Sequence, residues 1–239
     1  MVQDCIIIGG GLAGLACANR LCELGKKPLV LEQGVDSEYP CNSRFSGGIV
    51  HVAFKDMRAE LDDIQRVLRR LEAGAEFNAD TALAGVLAEE SARALEWLQA
   101  RGAKFVKGGA LEFMRWILAP PRPRRPGLDW KGRGPDVLLR NLTAQLEQAG
   151  GVLARGKRAM AAQRGRAEEP FSVLVESQGS RQTYQTETLV IADGGFQGNP
   201  EMVREHISAR PEAIFPRGAA TGNGDGLSLA KSLGADTVG

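Results

Sequence analysis

Gly9-Gly10-Gly11-Leu12-Ala13-Gly14 is a G-x-G-x-x-G turn between two different hydrophobic patterns, and it constrains the fold more than any other segment. Before it, Cys5-Ile6-Ile7-Ile8 is a continuous apolar run, as a parallel strand buried on both faces requires. After it, Leu12, Leu15, Ala16, Leu21 and Leu24 recur at helical spacing, and Gly25 is placed as a C-cap. Pro28-Leu29-Val30-Leu31 predicts the next strand, which ends in Glu32, 21 residues after Gly11. Strand, turn, helix, strand and acid in this order make a βαβ unit. Gly9 permits the tight turn, Gly11 bares the backbone N–H groups, and Gly14 lets the helix pack close to the sheet. The helix N-terminus then offers unpaired donors and the positive end of a dipole to a pyrophosphate. Glu32 accepts hydrogen bonds from ribose hydroxyls and repels a 2′-phosphate, and Gln33 beside it brings no cation to offset this.

Further along, residues 36–48 are polar and glycine-rich and read as a loop, while 57–73 and 80–101 have helical periodicity. Residues 120–127 hold four prolines and three arginines and read as a solvated loop. A helix is predicted from Pro135 to Ala149, with the proline suited to its first turn, and a short strand at Val152-Leu153-Ala154. Residues 158–163, 171–177 and 181–187 read as short antiparallel strands with turn signals at Gly165 and Gly179-Ser180. Thr188 to Ala192 is a further apolar strand, and 200–207 and 227–233 are helical. The fold class expected is α/β, a Rossmann-like parallel sheet with a small antiparallel meander at about 158–187, ahead of the last parallel strand.

Composition excludes several classes. Lys and Arg number 30 against 29 Asp and Glu, so the chain lacks the basic field of a nucleic-acid binder. No apolar run reaches the roughly 18 residues of a membrane helix, and no basic segment precedes the first apolar stretch as in a secretory leader. The four cysteines contain no C-x-x-C pair, and Cys5 falls in a strand pattern and Cys17 and Cys22 in a helical one, which predicts reduced thiols and a cytoplasmic protein. With only two histidines, His51 and His206, no metal site is expected, and for His51 a surface or structural role is preferred to one behind a cofactor ring. Gly151 to Lys157 mimics a phosphate-binding loop, but Arg158 stands in the Ser/Thr position and a strand follows. No G-x-S-x-G occurs.

The stretch Asn42-Ser43-Arg44-Phe45-Ser46-Gly47-Gly48 separates two ligand types. A nicotinamide site does not need a second polar, glycine-rich loop so soon after Glu32. A flavin dinucleotide does, because its pyrophosphate, ribityl chain and ring must be covered by another segment. Asn42, Ser43 and Ser46 carry donors, although the serines serve equally as turn formers. Arg44 has two readings, stabilising negative charge on a reduced ring or pairing with a backbone carbonyl.

Four groups of residues together resemble the flavoprotein subunits of fumarate reductase and succinate dehydrogenase, whose relatives include tricarballylate dehydrogenase and ketosteroid dehydrogenases. They are Ile8–Gly14 with Glu32; Asn42–Gly48; Ala192-Asp193-Gly194-Gly195-Phe196 with Asn199-Pro200; and Thr221–Gly226 running into a helix and Gly234-Ala235. The resemblance implies a glutathione-reductase type FAD-binding domain over 1–239. FAD would be extended, its pyrophosphate at Gly9, Gly11, Ala13 and Gly14, its ribose at Glu32 and its adenine near the Ala159 backbone. Asn42, Ser43, Arg44, Ser46, Gly47 and Gly48 would lie along the pyrophosphate and ring, with Ala192, Gly194 and Asp225 as further contacts. A covalent His attachment would fall near Asn42, so noncovalent FAD is implied. Asp193 stands where Thr or Gly is usual, and a carboxylate near the nucleotide costs affinity unless it meets a hydroxyl.

The resemblance also implies hydride transfer between flavin and a CH–CH bond next to a carboxylate or carbonyl, on a small carboxylate or enone substrate. Relatives are about twice as long, so a capping domain and C-terminal FAD segment, with the acid–base residue, are expected outside this chain. An electron-transfer partner or that missing half would be the partner. Two alternatives stay open: an FAD-binding module without activity of its own, and an NAD-binding dehydrogenase domain. No residue stands out as the catalytic acid or base.

Overall fold

A computed structural model describes residues 2–74, 81–122, 129–165 and 169–237. The elements in chain order are β1 (Val2–Ile8), α1 (Leu12–Glu23), β2 (Leu29–Glu32), α2 (Asn42–Phe45), α3 (Leu61–Gly74), α4 (Thr81–Ala100), β3 (Phe105–Val106), β4 (Ile117–Leu118), α5 (Gly134–Gln148), β5 (Val152–Arg155), β6 (Arg158–Gln163), β7 (Phe171–Ser177), β8 (Ser180–Ile191), α6 (Pro200–His206) and α7 (Asp225–Ser232). The chain divides into two compact units, one of residues 1–45 with 139–236 and the other of residues 46–138.

The first unit is built on a six-stranded sheet in the order β5-β2-β1-β8-β7-β6. β5, β2, β1 and β8 run parallel, with Ile6 opposite Leu29 and Leu189, and Ile8 opposite Leu31 and Ile191. β6, β7 and the first half of β8 form the antiparallel meander. Because side chains alternate across a strand, Ile6, Ile8, Leu29 and Leu31 share one face. There they pack with Ala159 and Ala162 of β6, Val173 and Val175 of β7 and Leu229 of α7. The meander therefore covers one face of the parallel sheet. Among the helices, the buried amide of Asn19 on α1 donates to Leu15 O at 2.8 Å and to Leu142 O of α5 at 2.9 Å, tying the two together. α1 ends as predicted, with Gly25 at φ 77° and Lys26 N–H donating to Leu21 O.

Two sequence expectations need correction. The strands read at 181–187 and 188–192 are a single strand, β8, which exchanges β7 for β1 as its partner along its length. Gln185 and Thr186 pair with both neighbours at once, which is why no break occurs there. The loop expected over 36–48 contains the helical turn α2, too short for periodicity to reveal. The arginines of the proline-rich loop, other than Arg122, lie outside the described residues.

In the second unit, α3 and α4 pack together, Ile64 of α3 and Ala88, Leu95 and Leu98 of α4 are buried, and β3 pairs antiparallel with β4. Ser91 on α4 donates to Met57 O at 2.9 Å. Asp56, nearly buried, accepts from the Trp116 indole N–H at 2.5 Å and from Arg58 N at 3.0 Å, and faces Arg115 at 3.3 Å. The segment after Gly48 is fixed by pairing of Ile49 with Ile117 and by Val50 N donating to Trp116 O at 2.9 Å.

Candidate functional site: a dinucleotide groove

At the C-terminal ends of β1, β2 and β8 the first unit opens into a groove, the position at which parallel α/β sheets bind ligands. Its floor is the turn 9–13, and its walls come from 31–33, 40–43, 157–159, 192–194, 221–222 and 225. Gly9 has φ 104°, in the region that favours glycine, and its N–H donates to Leu31 O at 2.8 Å. Gly14 is fixed by space: a Cβ there would lie 2.0 Å from Gly9 O. α1 opens at Gly11 with no side-chain cap and no acid in its first turn, so its dipole end is uncompensated by the helix's own residues. The Leu12 N–H donates to Ser43 Oγ at 2.9 Å, which brings the α2 segment against the helix start.

Glu32 lines the groove at the end of β2. Its carboxylate accepts from Gly10 N at 2.9 Å through one oxygen and from Gly34 N at 2.7 Å through the other. Burial raises its pKa, and the hydrogen bonds from Gly34 and Gly10 and the charge of Arg44 oppose that rise. A carboxylate oxygen carries two lone pairs, so each can accept a further hydrogen bond.

Beneath the turn lies a pair that sequence reading missed. Tyr39, 1% exposed, donates its hydroxyl to Gly10 O at 2.5 Å, and the Arg44 guanidinium sits 4.3 Å over its ring. Arg44 itself is 1% exposed and donates to Ser37 O at 3.2 Å. Of its two readings, the structure supports pairing with a backbone carbonyl. One tyrosine in a polar loop gives no sequence signal for this role.

Of the residues singled out from sequence, the groove gathers Gly9, Gly11, Ala13, Glu32, Asn42, Ser43, Ala159, Ala192, Gly194 and Asp225. Gly14 and Arg44 support it without lining it. Ser46, Gly47 and Gly48 belong to the second unit, where Gly48 N donates to Ser46 Oγ at 3.3 Å. Asn42 accepts from Ala219 N at 2.9 Å, and Gln33 donates to Thr221 O at 3.0 Å. Asp225 opens α7 and is held two-pronged by Arg158, at 2.8 and 3.0 Å. Lys157 and Arg158 line the groove, so cations absent from the neighbourhood of Gln33 in sequence arrive from the start of β6 and the residue before it. Their distance from Glu32 along the chain hid them.

Asp193 finds a donor in the protein itself: it accepts from Gly226 N at 2.7 Å, tying the end of β8 to α7. Burial raises its pKa, and the Gly226 hydrogen bond opposes the rise. A carboxylate with a raised folded pKa holds its proton more readily when folded than unfolded. Stability therefore falls as pH rises from the ordinary carboxylate range through the folded pKa, and the full cost is present at neutral pH. Asp193→Asn keeps an acceptor for Gly226 and removes the charge. It is expected to raise the Tm of the FAD-free protein at pH 7.5, by about 2–4 °C per kcal/mol relieved, with little change at pH 3.5. Equal shifts at both pH values in a thermal scan would refute this.

An α/β sheet whose glycine-rich crossover turn opens on a helix N-terminus free of acids, with a carboxylate at the end of the neighbouring strand, is the arrangement of dinucleotide-binding folds. The chain matches the FAD binding domain family over residues 4–239 and belongs to that family of flavoproteins, with FAD as cofactor. It is 24% identical over 242 residues to the vinyl phenol reductase of Lactiplantibacillus plantarum, covering 99% of this chain and 46% of that protein. Among solved structures it is similar to a 3-ketosteroid-Δ4-(5α)-dehydrogenase from Rhodococcus jostii RHA1, with TM-score 0.79, 18% identity, and coverage of 98% of this chain and 54% of that one. It is also similar to a flavocytochrome c3 fumarate reductase, with TM-score 0.75, 18% identity, and coverage of 99% and 41%. The chain thus spans about half the length of these relatives.

All four cysteines are free thiols, and burial pushes the Cys5 thiol up to about 11. Among the described residues no helix is long and apolar enough to cross a membrane.

Proposed function

We propose that this chain is the FAD-holding part of an oxidoreductase that acts on a carbon–carbon double or single bond conjugated to a carbonyl, carboxylate or aromatic ring. The observation that carries the reading is the start of α1 facing the groove, with no cap from Gly11's own side chain and no acid in its first turn, and Glu32 lining the same groove. The α1 N-terminus and the backbone of Gly9, Gly11 and Ala13 hold the pyrophosphate, and Gly14 keeps that helix close to the sheet. Glu32 binds the adenosine ribose, the backbone at Ala159 meets the adenine, and Asn42 and Ser43 lie along the phosphates with Ala192, Gly194 and Asp225 opposite. Ser46, Gly47 and Gly48 serve the ring end, and Arg44 acts by holding the Tyr39 side of the turn. FAD, bound noncovalently, supplies the redox chemistry at N5. The proton step and the substrate's polar group fall to residues outside this set. The protein is cytoplasmic in this reading, and its partners are a small conjugated substrate and either an electron-transfer protein or further chain.

The purified chain is expected to take up FAD with an absorbance that denaturation releases, and Glu32→Ala to weaken the affinity about tenfold to a hundredfold, the loss of charged hydrogen bonds. Protein that stays colourless after FAD addition would refute the reading. Bound FAD that no enone, dicarboxylate or vinyl phenol reoxidises after reduction would leave the second reading, a cofactor-holding module without turnover of its own.

A further inference from the structure

Arg158 opens β6, Asp225 opens α7, and both line the groove. Arg158 Nε donates to one Asp225 carboxylate oxygen at 2.8 Å, and an Nη group donates to the other at 3.0 Å. One planar fork thus engages both oxygens. The two side chains are 44% and 31% exposed, and an ion pair this open to water adds little to stability. What the pair fixes is the guanidinium. Of its five N–H bonds two meet Asp225, and the other three find no acceptor among the described residues. Its chain neighbours set it beside Glu32: Lys157 N–H donates to Glu32 O at 2.9 Å, and Ala159 also lines the groove. Asp225 is poorly suited to touch phosphates itself. An ionised carboxylate only accepts hydrogen bonds, and its charge repels theirs. Asp193 adds a second carboxylate at the start of α7, where it accepts from Gly226 N at 2.7 Å. A held cation at this point of the wall offsets that charge.

We propose that Arg158 is a further cofactor-binding residue, donating to the phosphates on the adenosine side of FAD, and that Asp225 is a positioning residue that holds the fork without touching the cofactor. A planar guanidinium matches phosphate oxygens in two-pronged fashion, which a lysine in its place cannot do. The proposal rests on the FAD reading above and reassigns Asp225 within it.

Titration of the purified chain with FAD and with ADP tests this, ADP being the probe for the half of the cofactor that Arg158 meets. Arg158→Met is expected to weaken both about tenfold or more, the loss of hydrogen bonds to a charged group. Its FAD-free Tm should stay within about 2 °C of the unsubstituted protein, because the pair is exposed. Arg158→Lys keeps the charge without the fork that Asp225 orients, and should recover only part of the affinity. Asp225→Asn is then added to Arg158→Met, where no fork remains to be held. There it should leave affinity unchanged or raise it, since a lone carboxylate beside phosphates repels them. Unchanged FAD and ADP affinity in Arg158→Met would overturn the proposal. Full recovery in Arg158→Lys, or a further loss on adding Asp225→Asn, would overturn the positioning role, the latter by making Asp225 a direct ligand. An unsubstituted chain that binds ADP through Arg158 yet takes up no FAD would refute the flavin reading and leave Arg158 as a diphosphate-binding residue.

Discussion

Gly14→Ala is expected to abolish FAD uptake and to destabilise the FAD-free protein by about 3 kcal/mol or more, at the upper end of what an overpacked site costs. The added methyl would sit 2.0 Å from Gly9 O, and that atom is backbone with no rotamer to yield. The helix must withdraw from the strand, or the turn must open. Either movement takes the α1 N–H groups away from the pyrophosphate, so affinity and stability fall together. Gly25→Ala is the control, since a Cβ at Gly25 meets nothing within 4 Å. It should cost only the strain of φ 77° and leave FAD affinity unchanged. Urea unfolding and FAD titration of both variants decide the matter. Retained FAD binding in Gly14→Ala would show that the close approach is dispensable.

Arg44→Met should be as damaging to stability for a different reason. Arg44 and Tyr39 are each 1% exposed, and Glu32 is nearly as buried. Removing the guanidinium takes away the cation near a buried carboxylate, the partner of the Ser37 carbonyl and the plate over the Tyr39 ring. Breaking such a buried arrangement costs about 3–5 kcal/mol, a large share of the roughly 5–15 kcal/mol that holds a domain together. Arg44→Lys should recover only part, because an ammonium cannot stack or donate as a planar fork. Loss is expected in the unfolding midpoint, with the reduction potential of the bound flavin in Arg44→Lys close to that of the unsubstituted protein. A change of 30 mV or more, about 1.4 kcal/mol for a two-electron couple, would instead assign Arg44 to the charge of the reduced ring.

What was readable in the sequence was whatever several local signals expressed together. The βαβ unit was legible because an apolar run, a glycine spacing, a helical period and a terminal acid coincide within 32 residues. The meander was legible from alternation and turn residues, but its junction with the parallel sheet was not. Polar Gln185 and Thr186 look like a strand end, whereas Thr186 is fully buried and its hydroxyl donates to Thr188 O at 2.8 Å, with Gln3 O 3.2 Å away. Long-range meetings were invisible. Tyr39 on Gly10, Arg158 on Asp225 and Phe113 on Phe54 each join positions far apart in the chain, and no periodicity encodes them. The division into two units was hidden as well, since α3 and α4 show only that each has an apolar side.

β8 runs unbroken from the meander into the parallel sheet, and this restricts how such a chain can vary over evolutionary time. Inserting or deleting one residue within the strand would invert its inward and outward side chains against β7 and β1 together. Length changes are tolerable only at hairpin ends, around Gly165 and Gln178-Gly179, where the pleat of neither partner is disturbed. Diversification of this part of the molecule is thereby expected at its periphery, with the spacing between Ser180 and Ala192 acting as a fixed ruler.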